Sequence, residues 1–375
     1  MERSRLLSIF AAVAAATLGC GAPTSNEPAT ASASSALDGC DGHGHGGPVD
    51  VMSRNLYLGA DLGAVIAADT PAKFVAATTA VWGTVVGNDF HTRAVSLAKE
   101  IARTRPDLVG LQEAYLWRVQ DPGDALLGGT VLATDVAYDY VADLLAALEA
   151  DGQHYEAVET LPLFDFEAPT ALGIDVRMTD RQVILARRGV QTSNPRGAVY
   201  GVLLPLTVMG QNILVQRGWT AVDARVDGRA FTFFDTHLES YYAPVRLAQA
   251  AELAGIVSAT PGKVVLVGDL NSPSGTEGAA ILEAAGLFDV WADLHPHQDG
   301  FTCCFAEDLG DPTVSLDQRI DYVMVRDVRP LGMRIVGSTP GTHASGLWPS
   351  DHAGVVAGLD VGRSPRGHGA HHDDD

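Results

Sequence analysis

An α/β fold is predicted by three features of this chain. Apolar strand-like runs alternate with helical periodicities, polar residues arrive where those runs end, and the length suits one large domain with dispensable ends. Of 375 residues, 46% are hydrophobic, enough for a sizeable core. The 4 cysteines do not make a disulfide scaffold in a chain this long. Adjacent Cys303 and Cys304 read either as a strained vicinal disulfide or as small apolar side chains, packing being favoured because bridge geometry disfavours neighbours.

The N-terminus reads as a signal peptide over residues 1–20. Arg3 and Arg5 precede an Ala-rich apolar stretch, Leu6 to Leu18, that is too short to span a bilayer. Thr17-Leu18-Gly19-Cys20 resembles a bacterial lipobox, although Thr17 departs from the usual aliphatic residue. Cys20 would then be the lipidated first residue, a membrane tether. Ordinary secretion with cleavage among Ala14 to Ala16, or a retained anchor, are the alternatives, and all three export the protein. Residues 21–47 are Ala/Ser/Thr/Pro/Gly-rich without apolar periodicity and form a disordered linker. The domain is expected over 48–361, followed by a His/Asp-rich tail over 362–375. Cys40, Asp41, His43 and His45, like His368, His371 and His372, read as solvated termini, since imidazoles without a framework bind metals weakly.

Within the domain, Pro48 to Leu56 reads as a strand carrying Asn55 near its end. Asp107 to Gln112 is a second, ending at Glu113. Between them Ala94, Val95, Leu97, Ala98 and Ile101 recur at helical spacing over Thr92 to Arg105, and Pro106 stops the helix. Phe231 to Phe234 leads into Asp235-Thr236-His237-Leu238-Glu239-Ser240, and Pro244 opens another helix. Val264 to Val267 is a fully apolar strand ending in Gly268-Asp269-Leu270-Asn271. A helix around Ala279 to Ala285 follows, with Gly286 past its end. Arg319 to Val325 carries Asp321, and Ser350-Asp351-His352 precedes apolar Ala353 to Val356. No fixed-period repeat is present.

Taken singly, each polar residue has a bland explanation. Asn55, Asp269 and Asn271 suit turns, Glu113 suits a helix start, and His237 and His352 suit satisfied core positions. Asp321 is harder to dismiss, because a carboxylate inside Ile320-Asp321-Tyr322-Val323-Met324-Val325 needs a partner. Jointly the bland readings fail, since five strand-like runs deliver carboxylate, carboxamide or imidazole groups to one edge. Hard divalent cations prefer such oxygen donors and retain waters that attack phosphorus. Structural zinc spacing, HExxH, a P-loop and a GxSxG elbow are all absent from the sequence. The pattern therefore points to a metal-dependent phosphoester hydrolase.

Formal net charge is −21, from 46 acidic and 25 basic residues, with no basic run of the kind that tracks a nucleic-acid backbone. No stable nucleic-acid complex is expected. A nuclease is not excluded, because site cations can meet phosphate locally.

In their order along the chain, Arg54-Asn55-Leu56, Leu111-Gln112-Glu113, Asp235-Thr236-His237-Leu238, Gly268-Asp269-Leu270-Asn271, Arg319-Ile320-Asp321-Tyr322 and Ser350-Asp351-His352 resemble the motifs of one group. It is the endonuclease/exonuclease/phosphatase superfamily, which includes DNase I-like nucleases, abasic-site endonucleases, bacterial sphingomyelinases and inositol polyphosphate phosphatases. The likeness runs from about Val49 to Leu359. It implies a four-layer α/β sandwich, with two packed mixed sheets flanked by helices and the site at one end. It also implies that Asn55, Glu113 and Asp351 are metal ligands or neighbours, with Glu113 the principal carboxylate for Mg²⁺ (Mn²⁺ or Ca²⁺ as alternatives). Asp269 and Asn271 would orient the attacking water and hold the phosphate. His352, fixed by Asp321, would be general base or phosphate-stabilising imidazole, and His237 would bind phosphate or protonate the leaving oxygen.

Arg181 and Gln182 open the strand-like Val183 to Ala186 and are candidates to reach the phosphate; Arg217-Gly218-Trp219 is ambiguous. Trp117, Tyr241, Tyr242 and Trp348 are rim or core. The expected activity is that of an exported, monomeric Mg²⁺-dependent phosphodiesterase acting on an extracellular phosphoester such as a phospholipid head group. An extracellular DNase I-like endonuclease is the alternative, and a catalytically silent surface module that binds metal or ligand is a third reading. No aromatic-rich membrane-docking hairpin is evident, and the lack of basic clusters weighs against DNase.

Overall fold

The computed structural model describes residues 47–339 and 346–362. The signal segment with Cys20, the linker and the His/Asp-rich tail lie outside the described residues, apart from Gly47 and Gly362.

The strands, in chain order, are β1 (Val49–Asn55), β2 (Leu108–Gln112), β3 (Leu116–Gln120), β4 (Asp135–Asp139), β5 (Tyr155–Pro169), β6 (Asp175–Arg187), β7 (Gln191–Val199) and β8 (Leu204–Val208). They continue with β9 (Gln211–Val215), β10 (Gly218–Val226), β11 (Arg229–His237), β12 (Val264–Asp269), β13 (Phe288–Asp289), β14 (Asp321–Arg326), β15 (Arg329–Val336) and β16 (Gly354–Asp360). The helices are α1 (Gly63–Ile66), α2 (Pro71–Asn88), α3 (Phe90–Thr104), α4 (Tyr140–Ala150), α5 (Ala243–Ala259), α6 (Glu277–Ala284) and α7 (Val290–Leu294). None of these helices is long and apolar enough to cross a membrane.

One sheet runs β15-β16-β1-β2-β6-β3-β4, with β5 paired along β6, and the second runs β13-β14-β12-β11-β10-β7. β8 and β9 form a separate hairpin. β1 and β2 are parallel and joined through α2 and α3; β11 and β12 are parallel and joined through α5. These are the strand–helix–strand units expected from the helical spacing around Leu97 and from Pro244.

The continuous apolar runs follow from burial on both faces. In β12, Val265 and Val267 face the other sheet beside Val51, Leu108 and Ile184, while Val264 and Leu266 face Leu253, Val257 and Leu282 of α5 and α6. The first sheet's outer face, with Met52, Val109, Leu111 and Leu185, packs on Trp82, Leu97, Ile101 and Leu144 of α2, α3 and α4. Helices, sheet, sheet and helices thus stack as four layers around three apolar seams. Helix ends are set locally. Thr70 caps α2 by accepting from the backbone N–H of Lys73 at 3.3 Å, with Pro71 at the first position. Arg105 leaves α3 at φ 48° directly before Pro106.

A polar tie crosses the seam between the sheets. Asp235 of β11 is fully buried and accepts from Gln112 Nε2 of β2 at 2.5 Å, with buried Gln182 beside it. Burial raises this carboxyl well above the usual range, and the two amides only partly oppose that. Gly110 makes room for it: a Cβ there would lie 2.5 Å from Val267 Cγ2 and 2.6 Å from Asp235 Oδ1.

Cys303 and Cys304 depart from the expected apolar packing. A cis peptide lies between them and their sulfurs are paired as a vicinal disulfide, so the two side chains meet although adjacent. Cys303 bridges to both Gln318 and His352.

Candidate active site

Strand direction gathers the polar residues. The carboxyl ends of parallel β1 and β2 carry Asn55 and Glu113, and those of parallel β11 and β12 carry His237 and Asp269. Antiparallel β14 starts at the same end, so Asp321 lies opposite Asp269, which lies opposite His237. The chain enters β16, antiparallel to β1, through Asp351 and His352. Both sheets therefore discharge their polar termini onto one edge. Glu113 (φ 54°) and Asn271 (φ 48°) are left-handed. For non-glycine residues that costs about 1–3 kcal/mol, and it turns the chain sharply off each strand end.

Asn55 joins the sheets. Its Nδ2 donates to Glu113 Oε1 and to Asp269 Oδ2, both at 3.2 Å, while its Oδ1 accepts from Tyr57 N–H at 2.9 Å. Asn55 thereby spaces two carboxylates and leaves its oxygen on the backbone. Glu113 Oε2 accepts from Leu58 N–H at 2.7 Å. Ser350 Oγ donates to the Asn55 carbonyl at 2.8 Å. Buried Arg54, paired with Glu100 at 3.0 Å, donates to the His352 carbonyl. Arg93 donates to the carbonyls of Leu56 and Pro349, both at 2.8 Å, so the β1 exit and the Ser350 loop are clamped together.

The partner that Asp321 lacked is His352, whose Nδ1 lies 2.8 Å from Asp321 Oδ2. Burial opposes a charged imidazole, but Asp321, Asp351 and Asp269 outweigh it and hold His352 well above the ordinary histidine range. His237 goes the other way. Burial, then the Arg217 and His352 charges, push it well below that range. Between them, Asp269 Oδ2 stands 3.4 Å from His237 Nε2 and 3.8 Å from His352 Nε2. Burial lifts the Asp269 carboxyl to about 7 against the attraction of His352. Its Oδ1 accepts from Asn271 N–H at 2.8 Å, and Asn271 Nδ2 anchors on the Leu238 carbonyl at 2.9 Å.

Among the described residues, Asp269, Asp321 and His352 bring ligand atoms within 4.8 Å of one another, and Glu113 and Asp351 stand beside them. Burial raises Asp351 to about 6, and the Glu113 charge adds to that rise, although His352 opposes it. Carboxylates that crowd one another in this way fit a hard divalent ion. The sulfurs nearest His352 are already disulfide-bonded and supply no thiolate.

Two candidates from the sequence lie elsewhere. Arg181 does not reach this edge: its Nε donates to the Ala114 carbonyl at 2.7 Å, and its Nη2 donates to Asp139 Oδ1 at 2.6 Å. Gln182 is buried against Asp235 between the sheets. The arginine that does arrive is Arg217, whose Nη1 lies 2.9 Å from His237 Nδ1 and 3.4 Å from Asp180 Oδ2. Register explains it: Gly218 pairs with His237 across β10 and β11, which puts Arg217 beside the imidazole. Asp180, raised to about 7 by burial despite Arg217, was not singled out in the sequence. Of the aromatics, Trp117 and Trp348 are core, while Tyr241 and Tyr242 are exposed at the rim.

A four-layer sandwich with paired imidazoles, buried carboxylates and an oxygen donor set at one sheet edge defines a metal-dependent phosphoester hydrolase. The family model described as Endonuclease/Exonuclease/phosphatase family matches residues 81–352, and the chain belongs to that family. Its fold is similar to that of a D. rerio TDP2 humanised by 14 mutations, at 17% identity and TM-score 0.50 over 83% of this chain and 98% of that one. It is also similar to an endonuclease/exonuclease/phosphatase family protein from Bacteroides thetaiotaomicron, at 15% identity and TM-score 0.54 over 85% and 98%. A mannosyl-6-phosphatase from the same organism aligns at 15% identity and TM-score 0.51 over 83% and 99%. No curated protein matches the chain by sequence.

Proposed function

We propose that this protein is an exported Mg²⁺-dependent phosphodiesterase that cleaves an extracellular phosphoester, a phospholipid head group being the favoured class. The observation that carries the hydrolytic chemistry is Asp269 set between two buried imidazoles, 3.4 Å from His237 Nε2 and 3.8 Å from His352 Nε2. Glu113 and Asp351 would hold the cation, with Asn55 fixing Glu113 against Asp269. When bound, Mg²⁺ would neutralise the non-bridging phosphate oxygens and supply an ordered water. Asp269, placed by Asn271, orients that water for in-line attack. His352, kept cationic by Asp321, stabilises charge growing on the equatorial oxygens, and His237 presents a proton towards the leaving oxygen. The signal segment supports export, and the acidic balance weighs against a polyanionic substrate.

The test is a panel of plasmid DNA, sphingomyelin, lysophospholipid and inositol phosphates with Mg²⁺, run on wild type and on Asp269→Ala and His352→Ala. Lipid turnover that both substitutions abolish is expected. DNA cleavage without lipid turnover would replace the lipid assignment with a secreted nuclease. Activities equal to wild type in both variants would leave a surface-binding module.

A further inference from the structure

An apolar cleft of about 370 Å³ opens directly beside this edge, and Glu113, Asp351 and Arg217 belong to its wall as well as to the site. The cleft and the site therefore share these three residues as a common border. On one side stand Trp117, Phe164, Phe166, Val176 and Met178, from β3, β5 and β6. The other side is the β8–β9 hairpin, which turns Leu206, Val208, Ile213 and Val215 inward, with Leu206 and Ile213 directly opposed across it. Pro205, Thr207, Asn212 and Leu214 of the hairpin face solvent, and Leu214 is 54% exposed. Among the described residues Arg217 is the sole basic one lining the cleft, and it is already committed to Asp180 and His237. A polyanion would gain nothing here, whereas hydrocarbon would meet apolar walls along the cleft.

We infer that this cleft takes the single aliphatic chain of an amphiphilic phosphodiester, and that the chain-bearing alcohol is the leaving group. This rests on the phosphodiesterase reading above. Because Arg217 touches His237 and lines the cleft, the leaving oxygen lies on the cleft side of phosphorus. The water oxygen bonds to phosphorus as the bond from phosphorus to the alcohol oxygen breaks. One water proton ends on the departing alcohol, and the head group leaves as its phosphate monoester.

The experiment uses alkylphosphocholines from ethyl to dodecyl, below their micelle-forming concentrations, with bis(4-nitrophenyl) phosphate alongside and products identified by mass. The expected result is kcat/KM rising by up to about fourfold per methylene before a plateau, because a buried methylene contributes about 0.8 kcal/mol. The products are free alcohol and phosphocholine. Leu206→Asp combined with Ile213→Asp flattens the series, while Leu214→Asp on the outer face retains its slope. A flat series in wild type with bis(4-nitrophenyl) phosphate still cleaved overturns the inference and spares the phosphodiesterase reading, as does release of choline and alkyl phosphate. If no phosphodiester is turned over, the underlying reading itself falls.

Discussion

Replacing Asp321 by Asn tests the charge logic of the site with almost no change in shape. Asp321 is fully buried and its Oδ2 lies 2.8 Å from His352 Nδ1, so Asn retains an acceptor for the imidazole N–H but removes the negative charge. Two unit charges about 4 Å apart at an effective dielectric near 20 interact by about 4 kcal/mol, and a charge-assisted hydrogen bond contributes roughly 1.5–3 kcal/mol. At about 1.4 kcal/mol per decade these figures bracket a fall in kcat of about 10–10³. The direction with pH also follows. Asp321 helps to hold His352 above its ordinary range, so its loss lowers that pKa and empties the imidazolium at a lower pH. Activity that depends on the cation should therefore lose its alkaline limb earlier, with the deficit smallest in acid. The assay is kcat against pH on bis(4-nitrophenyl) phosphate with Mg²⁺, after circular dichroism confirms the fold. A variant with wild-type kcat and an unmoved alkaline limb would refute the role of this pair.

Chelation by EDTA should abolish turnover, with Mg²⁺ restoring it, and Glu113→Ala should weaken Mg²⁺ binding by at least about tenfold in calorimetry; equal affinities would remove Glu113 from the cation site. Arg217→Ala leaves Asp180 buried without its cation and should cost about 3–5 kcal/mol in urea unfolding. Leu253→Ala, in the seam beneath α5, should cost about 2–5 kcal/mol by the same measurement. Asp139 caps α4 and binds Arg181; burial alone would raise its carboxyl, but Arg181 and the cap N–H groups bring it below the ordinary value. Its stabilisation is present above the ordinary carboxylate range, near pH 4, and is lost as pH falls through the lowered value. The Tm gap between wild type and Asp139→Ala should accordingly close in acid.

Strand ends were the legible part of this chain. Val264 to Val267 announces a doubly buried strand, and the polar residues that interrupt or follow such runs, Asp269 and Asp321 above all, have to be explained by chemistry. What stayed hidden depends on pairing register and on half-buried surfaces. Arg217 meets His237 only because Gly218 pairs opposite it, a relation between residues 20 positions apart that no local pattern marks. The register between β10 and β11 is the signal that would have found it. Arg181, by contrast, looked promising because it heads an apolar run, yet its neighbours across the sheet absorb it. The cleft was invisible for a similar reason. Its walls are partly exposed alternating strands, and that Leu206 and Ile213 of the β8–β9 hairpin share a face depends on their pairing across it. For Cys303 and Cys304 the sequence left a vicinal disulfide and apolar packing both open, and the structure has the disulfide, the less favoured of the two.

Asn55 holds one carboxylate from each sheet, Glu113 beside it and Asp269 across the seam. The reactive geometry is therefore a measure of how the two slabs sit on one another, as the gap of a caliper reads the position of its jaws. Any loss of volume far down the seam, at Val265 or Phe233 for instance, lets the slabs resettle and is magnified at the edge where chemistry occurs. A displacement near 1 Å can cost about a hundredfold in rate while leaving the fold intact. Enzyme assays on such remote variants should register damage well before any melting curve does.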